Sequence, residues 1–173
     1  MLRPAPNGGM STPSHSSGIA GFPKALILGS LGAAVVGAVY QVVTDINPFV
    51  YVNILLTLAF AAITGAIVGG ILNAAGNHSR LQAVVGAAFA VSVGIAAGFV
   101  TNFYVTAGDL IAEVGDPVRA FQMFLEFRIE AGWEFSRRAS TITVDGNMVR
   151  AVWGAEYGLA LVAASLRGAT MLG

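Results

Sequence analysis

Three stretches of this sequence contain no charged side chain over twenty or more consecutive residues. They are residues 25–44, 49–72 and 81–104, and each is rich in Ala, Val, Leu, Ile and Gly. A helix rises about 1.5 Å per residue, so about 20 residues cross the roughly 30 Å hydrocarbon core of a bilayer. At that length in lipid only a helix satisfies its own backbone hydrogen bonds. The sequence therefore predicts three transmembrane helices.

The last apolar stretch, residues 150–171, differs because it contains charged side chains. Glu156 and Arg167 lie within it, and Arg150 lies at its start. A charge near the centre of a span costs about 2.5–3.5 kcal/mol on an insertion scale, which the many Leu, Val and Ala residues offset. We predict a fourth span here.

Most of the remaining charge lies in residues 105–149, which hold seven acidic side chains and four arginines. Asp116 followed by Pro117 is typical of a helix N-terminus. The residues that follow predict an amphipathic helix that is too short to span and that lies in the interface or caps the bundle. Its polar stripe is Arg119, Gln122, Glu126 and Glu130, opposite Val118, Phe121, Phe124, Leu125 and Ile129.

Two smaller features of this segment carry predictions of their own. Arg128 interrupts the apolar side of the amphipathic helix, so it needs a partner or a route to water. Residues 140–149 alternate weakly around Asp145 and Gly146. That pattern predicts a small hairpin or a plain turn at this pair.

The amino-terminal segment, residues 1–23, holds four prolines and clusters of Gly and Ser. Such a segment cannot offset the entropy of ordering, so we predict a disordered tail. A signal peptide is the alternative, but the apolar run after Lys24 exceeds the usual h-region of about 7–15 residues. The predicted fold class is therefore an all-α integral membrane protein. Four transmembrane helices plus the amphipathic interfacial helix occupy residues 24–173.

Composition excludes several classes of protein. Hydrophobic residues make up 55 % of the chain and charged residues 10 %, with nine basic and nine acidic side chains in balance. A nucleic-acid-binding protein would show a basic stripe. The chain has no cysteine, and its two histidines, His15 and His78, have no second ligand near them. Phosphate-loop, dinucleotide, HExxH and GxSxG motifs are absent from the sequence. We predict no enzyme activity, no cofactor and no metal.

Small residues recur at intervals of four in every predicted span and predict close helix packing. The ridges are Ala33 and Gly37; Ala61, Gly65 and Gly69; Gly86, Ala90, Gly94 and Gly98; and Gly154 and Gly158. Packing within one bundle is the first interpretation. Homo-oligomerisation through an unused ridge and a glycine-lined pore are the alternatives.

Membrane orientation follows from the basic residues. Lys24 and Arg80 favour cytoplasmic positions for both termini and for the loop 73–80, which leaves residues 105–149 outside. The four arginines of that long segment favour the reverse orientation.

Polar and aromatic residues gather at one end of the predicted bundle, where the first and third spans end and the second and fourth begin. The aromatic residues there are Tyr40, Phe49, Tyr51, Phe103, Tyr104, Trp153 and Tyr157. One polar side chain from each span lies at nearly the same depth, namely Gln41, Asn53, Asn102 and Glu156. An ionisable group within a span is a functional hypothesis.

This predicted polar layer has two interpretations. It is a pocket for a proton, an ion, a lipid headgroup or a peptide, or it is a structural layer in which amides bridge the helices. In the structural interpretation Glu156 pairs with Arg128 or Arg150, is neutral, or reaches the headgroups.

Several short patterns resemble those of uncharacterised small bacterial polytopic inner-membrane proteins. They are the stretch 47–60 (NPFVYVNILLTLAF), the pair Gly132 and Trp133, Gly146 before the last span, and Trp153 with Glu156 three residues later. The resemblance covers most of residues 25–165. It implies a multi-pass protein of the bacterial cell membrane and implies no activity.

The function predicted from the sequence is that of a non-enzymatic integral membrane protein, acting as an accessory or assembly component. Its partners are the lipid bilayer and either a second copy of the chain or another membrane protein. The alternative is a small transporter or channel-like oligomer that uses Glu156 within the membrane.

Overall fold

The structure, a computed structural model, describes residues 17–46, 50–130, 133–137 and 140–172. Its elements, in chain order, are helices α1 (Ser17–Ile46), α2 (Val50–Ala74), α3 (Arg80–Ala107), α4 (Leu110–Val114) and α5 (Pro117–Glu130), strands β1 (Trp133–Arg137) and β2 (Ser140–Val144), and helix α6 (Gly146–Thr170). The two strands pair antiparallel. They form one short hairpin in an otherwise helical fold.

Three helices in the described part of the chain are long and apolar enough to cross a membrane. They comprise Gly21–Ile46, Tyr51–Ala74 and Arg80–Ala107. The prediction that these three stretches form helices of sufficient length and hydropathy to cross a membrane is therefore confirmed. Helix α6 matches α2 in length at 25 residues. Helix α6 is less apolar than these three helices because it contains Arg150, Glu156 and Arg167.

Helix α1 begins at Ser17, inside the segment that was predicted to be a disordered tail. That prediction is wrong for residues 17–23, and residues 1–16 lie outside the described part of the chain. The extra turns have packing partners. The Phe22 ring contacts the cluster around Ala25 and Leu72, and a Cβ on Gly21 would lie 2.6 Å from the Ala75 side chain. Contact with α2 therefore holds the helix beyond Pro23.

The four long helices form a bundle in which α2 and α3 lie between α1 and α6. Helix α1 packs on α3 and α2, and α6 packs on the same two helices. The chain direction makes α1 and α3 parallel to each other and antiparallel to α2 and α6. We call the end formed by Ile46, Val50, Ala107 and Gly146 the α5 end, because α5 packs there.

Small residues bring these helices into backbone contact, as the ridges predicted. A Cβ on Gly37 would collide with the Gly94 carbonyl, and one on Gly65 would collide with the Ala164 carbonyl. A Cβ on Gly69 would lie 2.7 Å from the Gly168 oxygen. Helix separation is therefore set by main-chain atoms at these points.

The ridge of small residues predicted for the fourth span does not lie on the packed face of α6. Gly154 and Gly158 face open space, with no atom within 4 Å of a Cβ built on either. The stripe that packs is Ala160, Ala164 and Gly168, all buried. Four-residue spacing alone does not say which side of a helix meets its neighbours, and α6 carries small residues on two sides.

Helix α5 begins as predicted and covers the α5 end of the bundle. The Asp116 carboxylate accepts the Val118 N–H at 2.9 Å, and Phe124 packs on Phe103 with ring centroids 5.4 Å apart. The predicted polar stripe of α5 is exposed. Val118, assigned to the apolar side, is 67 % exposed, because it lies at the edge of the packed face.

The turn predicted at Asp145 and Gly146 is not the turn of the hairpin. The hairpin closes between Arg137 and Ser140, and Asp145 instead caps α6, where its carboxylate accepts the Met148 N–H at 2.9 Å. An aspartate before glycine suits either a turn or a helix N-terminus. This cap starts α6 four residues earlier than the predicted span at 150.

Candidate functional site

Arg128 of α5 connects three helices at the α5 end. Its Nη1 donates to Asn102 Oδ1 on α3 at 3.2 Å, and its Nη2 lies 3.3 Å from Asp45 Oδ1 on α1. The side chains of Arg128 and Asp45 are 29 % and 27 % exposed. The guanidinium also lies over the Phe124 ring, 5.8 Å from its centroid. Arg128 thus has the partner that the sequence required.

Asn102 is the buried member of this cluster, at 3 % exposure. Its Oδ1 accepts from Arg128 and lies 3.1 Å from Thr106 Oγ1, which donates to the Asn102 main-chain carbonyl at 2.7 Å. A guanidinium only donates, so the oxygen of the Asn102 amide must face Arg128. The Nδ2 of Asn102 then has no acceptor among the residues that the structure describes. On the exposed side of the cluster, Gln41 Nε2 donates to Asp45 at 3.4 Å.

A second polar group lies between α1 and α2, farther from the α5 end; we call it the deeper group. The Tyr40 hydroxyl and Thr57 Oγ1 are 2.8 Å apart, and Thr57 Oγ1 donates to the Asn53 carbonyl at 2.9 Å. Because the Thr57 proton is used there, Tyr40 donates to Thr57. The Tyr40 ring stacks on Phe60 at 5.2 Å.

Glu156 belongs to this deeper level. It lies one turn before Ala160 on the packed stripe of α6, with its residue half-buried. Gly65 meets Ala164 and Gly69 meets Gly168, so α2 and α6 run in a fixed parallel register. Thr57 and Glu156 lie eight residues before Gly65 and Ala164, respectively. The same register therefore places Thr57 and Glu156 at the same height along the bundle. The Thr57 hydroxyl in turn lies 2.8 Å from the Tyr40 hydroxyl, so the three side chains share this level.

The depth of this group follows from the helix ends. Tyr40 precedes the last residue of α1 by six positions, which is about 9 Å along a helix. Within the described residues, no hydrogen bond and no ion pair reaches the Glu156 carboxylate. A half-buried carboxylate at this depth with no such partner is the most unusual chemical feature of the bundle.

The polar residues predicted to form one layer therefore lie at two levels. Gln41 and Asn102 belong to the Arg128 cluster, whereas Glu156 lies deeper, opposite Thr57. The main-chain carbonyl of Asn53 accepts the Thr57 hydroxyl proton. The level of each side chain depends on the register between helices, and the sequence alone does not contain that register.

The two predicted charge partners of Glu156 do not pair with it. Arg128 pairs with Asp45. Arg150 is exposed and lies six residues before Glu156 on α6, so the two side chains point about 120° apart around the helix.

Sequence reasoning missed four members of these groups, which are Tyr40, Asp45, Thr57 and Thr106. The sequence pattern places Tyr40 only among the aromatic residues of this end, and Asp45 directly follows the first uncharged stretch. A charged residue in the last turn of a span was the available signal for Asp45.

The aromatic residues of this end either pack between helices or lie exposed on the surface. Phe103 contacts Phe121 and Phe124, and Trp153 meets the Phe99 ring edge-on at 5.1 Å, so these rings pack helices together. Tyr51 and Tyr104 are 84 % and 60 % exposed. Phe49 lies outside the described residues.

A further hydroxyl pair joins α3 to α6 deeper in the bundle. Ser92 Oγ donates to the Ala88 carbonyl at 2.9 Å and lies 2.8 Å from the Tyr157 hydroxyl, which therefore donates to it. Over the described ranges there is no group of three or more His, Cys, Asp or Glu side chains suited to a metal ion. Comparisons with protein-family models, curated proteins and solved structures gave no match.

Proposed function

We propose that the chain is a multi-pass integral membrane protein in which α1, α2, α3 and α6 all cross the bilayer. Helix α6 has 25 residues, about 37 Å at the usual rise, which is sufficient to span. It packs along α2 and α3, and its small-residue stripe turns Glu156 toward them. Arg150 and Arg167 lie near its two ends, where long side chains reach the headgroups.

Helix α5 is the interfacial helix of this proposal. Its polar stripe is exposed, Phe124 is buried against the bundle, and Phe127 beside the packed face is 70 % exposed. A short helix with these two faces suits the headgroup boundary, where an exposed aromatic ring enters the edge of the hydrocarbon.

The function that this geometry supports best is that of a non-catalytic accessory or assembly component. The observation that carries it is the backbone contact between helices, at Gly37 with Gly94 and at Gly65 with Ala164. Such contacts give a closely packed scaffold whose outer surface is available to lipid and to partners. The partner in this proposal is a second copy or another membrane protein, and the location is the bacterial cell membrane.

Topology mapping tests the four-span arrangement. Reporters placed at the amino terminus, in loop 73–80 and at the carboxyl terminus are expected on one side of the membrane, with a reporter in residues 131–132 on the other. If α6 did not cross, the carboxyl-terminal reporter would lie on the same side as residues 131–132.

Purification in mild detergent tests the assembly role. We expect a defined complex, either with one membrane protein or with further copies of the chain, that persists through size-exclusion chromatography. Recovery of a lone monomer across several mild detergents and in native membrane discs would contradict this proposal.

A small transporter or channel-like oligomer is the second candidate, favoured by Glu156 at bilayer depth. The close contacts within one bundle mean that a conduit would have to lie between copies. Reconstituted vesicles would then show proton or alkali-cation flux that E156Q abolishes, and equal flux in the two proteins would argue against this candidate.

A further inference from the structure

On the side away from the α5 end, apolar side chains cover the deeper group of Tyr40, Thr57 and Glu156. Phe60 stacks on Tyr40, and a Cβ on Gly94 would lie 2.8 Å from the Phe60 ring. Beyond this ring, Ala61 and Ala160 belong to one buried apolar cluster. The contacts next to the deeper group on this side are therefore apolar, and the buried Thr64 hydroxyl lies beyond them.

Toward the α5 end the surroundings are polar. The side chains of Gln41, Asp45, Asn102 and Arg128 lie between the deeper group and the α5 end, and Asn102 Nδ2 has no acceptor within the described structure. Buried amide donors of this kind are commonly satisfied by water. The groups nearest the deeper group on the α5 side are therefore polar or charged, in contrast to those on the opposite side.

The charge balance at Glu156 selects the ligand. No cationic side chain pairs with this carboxylate in the described residues, so one bound positive charge would neutralise it. The Tyr40 and Thr57 hydroxyls at the same level supply oxygen atoms but no further charge. A divalent ion would leave a net positive charge within the bilayer, which is costly.

The other titratable or charged groups on the neighbouring helices lie at helix ends, on exposed faces or in pairs, apart from Tyr40 of the same group. They are Lys24 on α1, Tyr51 at the exposed start of α2, Arg80 and Tyr104 at the ends of α3, the exposed Arg119, Glu126 and Glu130 of α5, Arg128 of α5 in its pair with Asp45, and Arg150, Tyr157 and Arg167 on α6 itself.

We propose that Glu156, with the Tyr40 and Thr57 hydroxyls, forms a site for a small monovalent cation, a proton or an alkali ion, that water reaches only from the α5 end. This inference rests on the proposed four-span arrangement. It adds a ligand and a sidedness that the assembly role does not require.

Because the chain has no cysteine, single-cysteine variants test the sidedness directly. E156C in oriented vesicles is expected to react with a membrane-impermeant cationic thiosulfonate from the α5 side only. The matched control is T64C, because Thr64 is fully buried on α2 toward the opposite end; it should react from neither side. If E156C fails to accumulate, Y40C gives the same readout, because Tyr40 of the same group is also half-buried. Labelling at the site from the opposite side, from both sides or from neither side overturns the proposal.

Infrared difference spectra identify the cation. In the wild type, a carboxylic-acid C=O band that is lost on raising the pH and is absent in E156Q indicates a proton. Loss of that band at fixed pH when sodium replaces choline indicates that an alkali ion binds. A spectrum with no band or carboxylate shift attributable to Glu156 under either change overturns the proposal. The topology reporters are unaffected by that result, so failure of the cation site and failure of the four-span arrangement are distinguishable.

Discussion

Replacement of Gly37 by alanine tests whether backbone contact holds α1 against α3. A Cβ at this position would collide with the Gly94 carbonyl oxygen and would lie 2.5 Å from the carbonyl carbon and 2.9 Å from Cα. These are main-chain atoms of a helix, so no rotamer change relieves the overlap. The two helices would have to separate by about 1 Å to restore ordinary van der Waals contact.

The expected cost of G37A follows from two opposing terms. Overpacking a close contact destabilises by about 1–3 kcal/mol, whereas alanine is favoured over glycine within a helix by about 0.8–1.0 kcal/mol. The matched control is G154A, because a Cβ on Gly154 meets nothing within 4 Å. G154A keeps only the favourable term, so the two variants should differ by about 1–3 kcal/mol in unfolding free energy.

The measurement is unfolding in mixed micelles, with increasing dodecyl sulfate in a mild detergent, followed by circular dichroism and by Trp fluorescence. We expect the unfolding midpoint of G37A to fall below that of the wild type and that of G154A to equal or exceed it. Equal midpoints for the two variants would refute the reasoning, because they would mean that the α1–α3 contact does not limit helix approach.

Three further contacts can be tested by the same unfolding measurement. D145A removes the cap of α6 and should cost about 1 kcal/mol; restored stability in D145S would assign the loss to capping, and an unaffected D145A would exclude the cap. Y157F should cost about 0.6 kcal/mol, the average for a hydrogen bond between membrane helices, and should have no further effect in an S92A background. A double-mutant cycle on Asp45 and Arg128 should give a coupling of about 0.5–1 kcal/mol, as expected for a partly exposed pair; zero coupling would mean that the pair does not secure α5.

The sequence predicted the elements of the fold well where the signal was local. Uncharged runs of sufficient length identified α1, α2 and α3, and Asp116 before Pro117 identified the start of α5. It was less successful at Asp145, which resembles a turn residue but caps α6. The first turns of α1 were also missed, because they depend on contact with α2 near Ala75.

The candidate site could be predicted only in part. The spacing of polar residues placed Asn102 and Glu156 near the same end of the bundle, but it did not reveal that Arg128 selects Asp45. Nor did it reveal that Thr57 and Tyr40 form the level opposite Glu156. Each of these pairings joins residues on different helices, and hydropathy carries no information about rotation or register between helices.

The sequence by itself determined that the chain has three helices long and apolar enough to cross a membrane, since uncharged runs of that length are stable as helices in lipid. It also determined that every charged side chain lies outside the stretches 25–44, 49–72 and 81–104. Tertiary structure alone decided which small residues become contacts, so that Gly65 meets Ala164 while Gly154 faces outward. The reason is physical: lipid provides little hydrophobic drive between helices, so close backbone approach sets their register. That register in turn decides which polar groups meet Glu156.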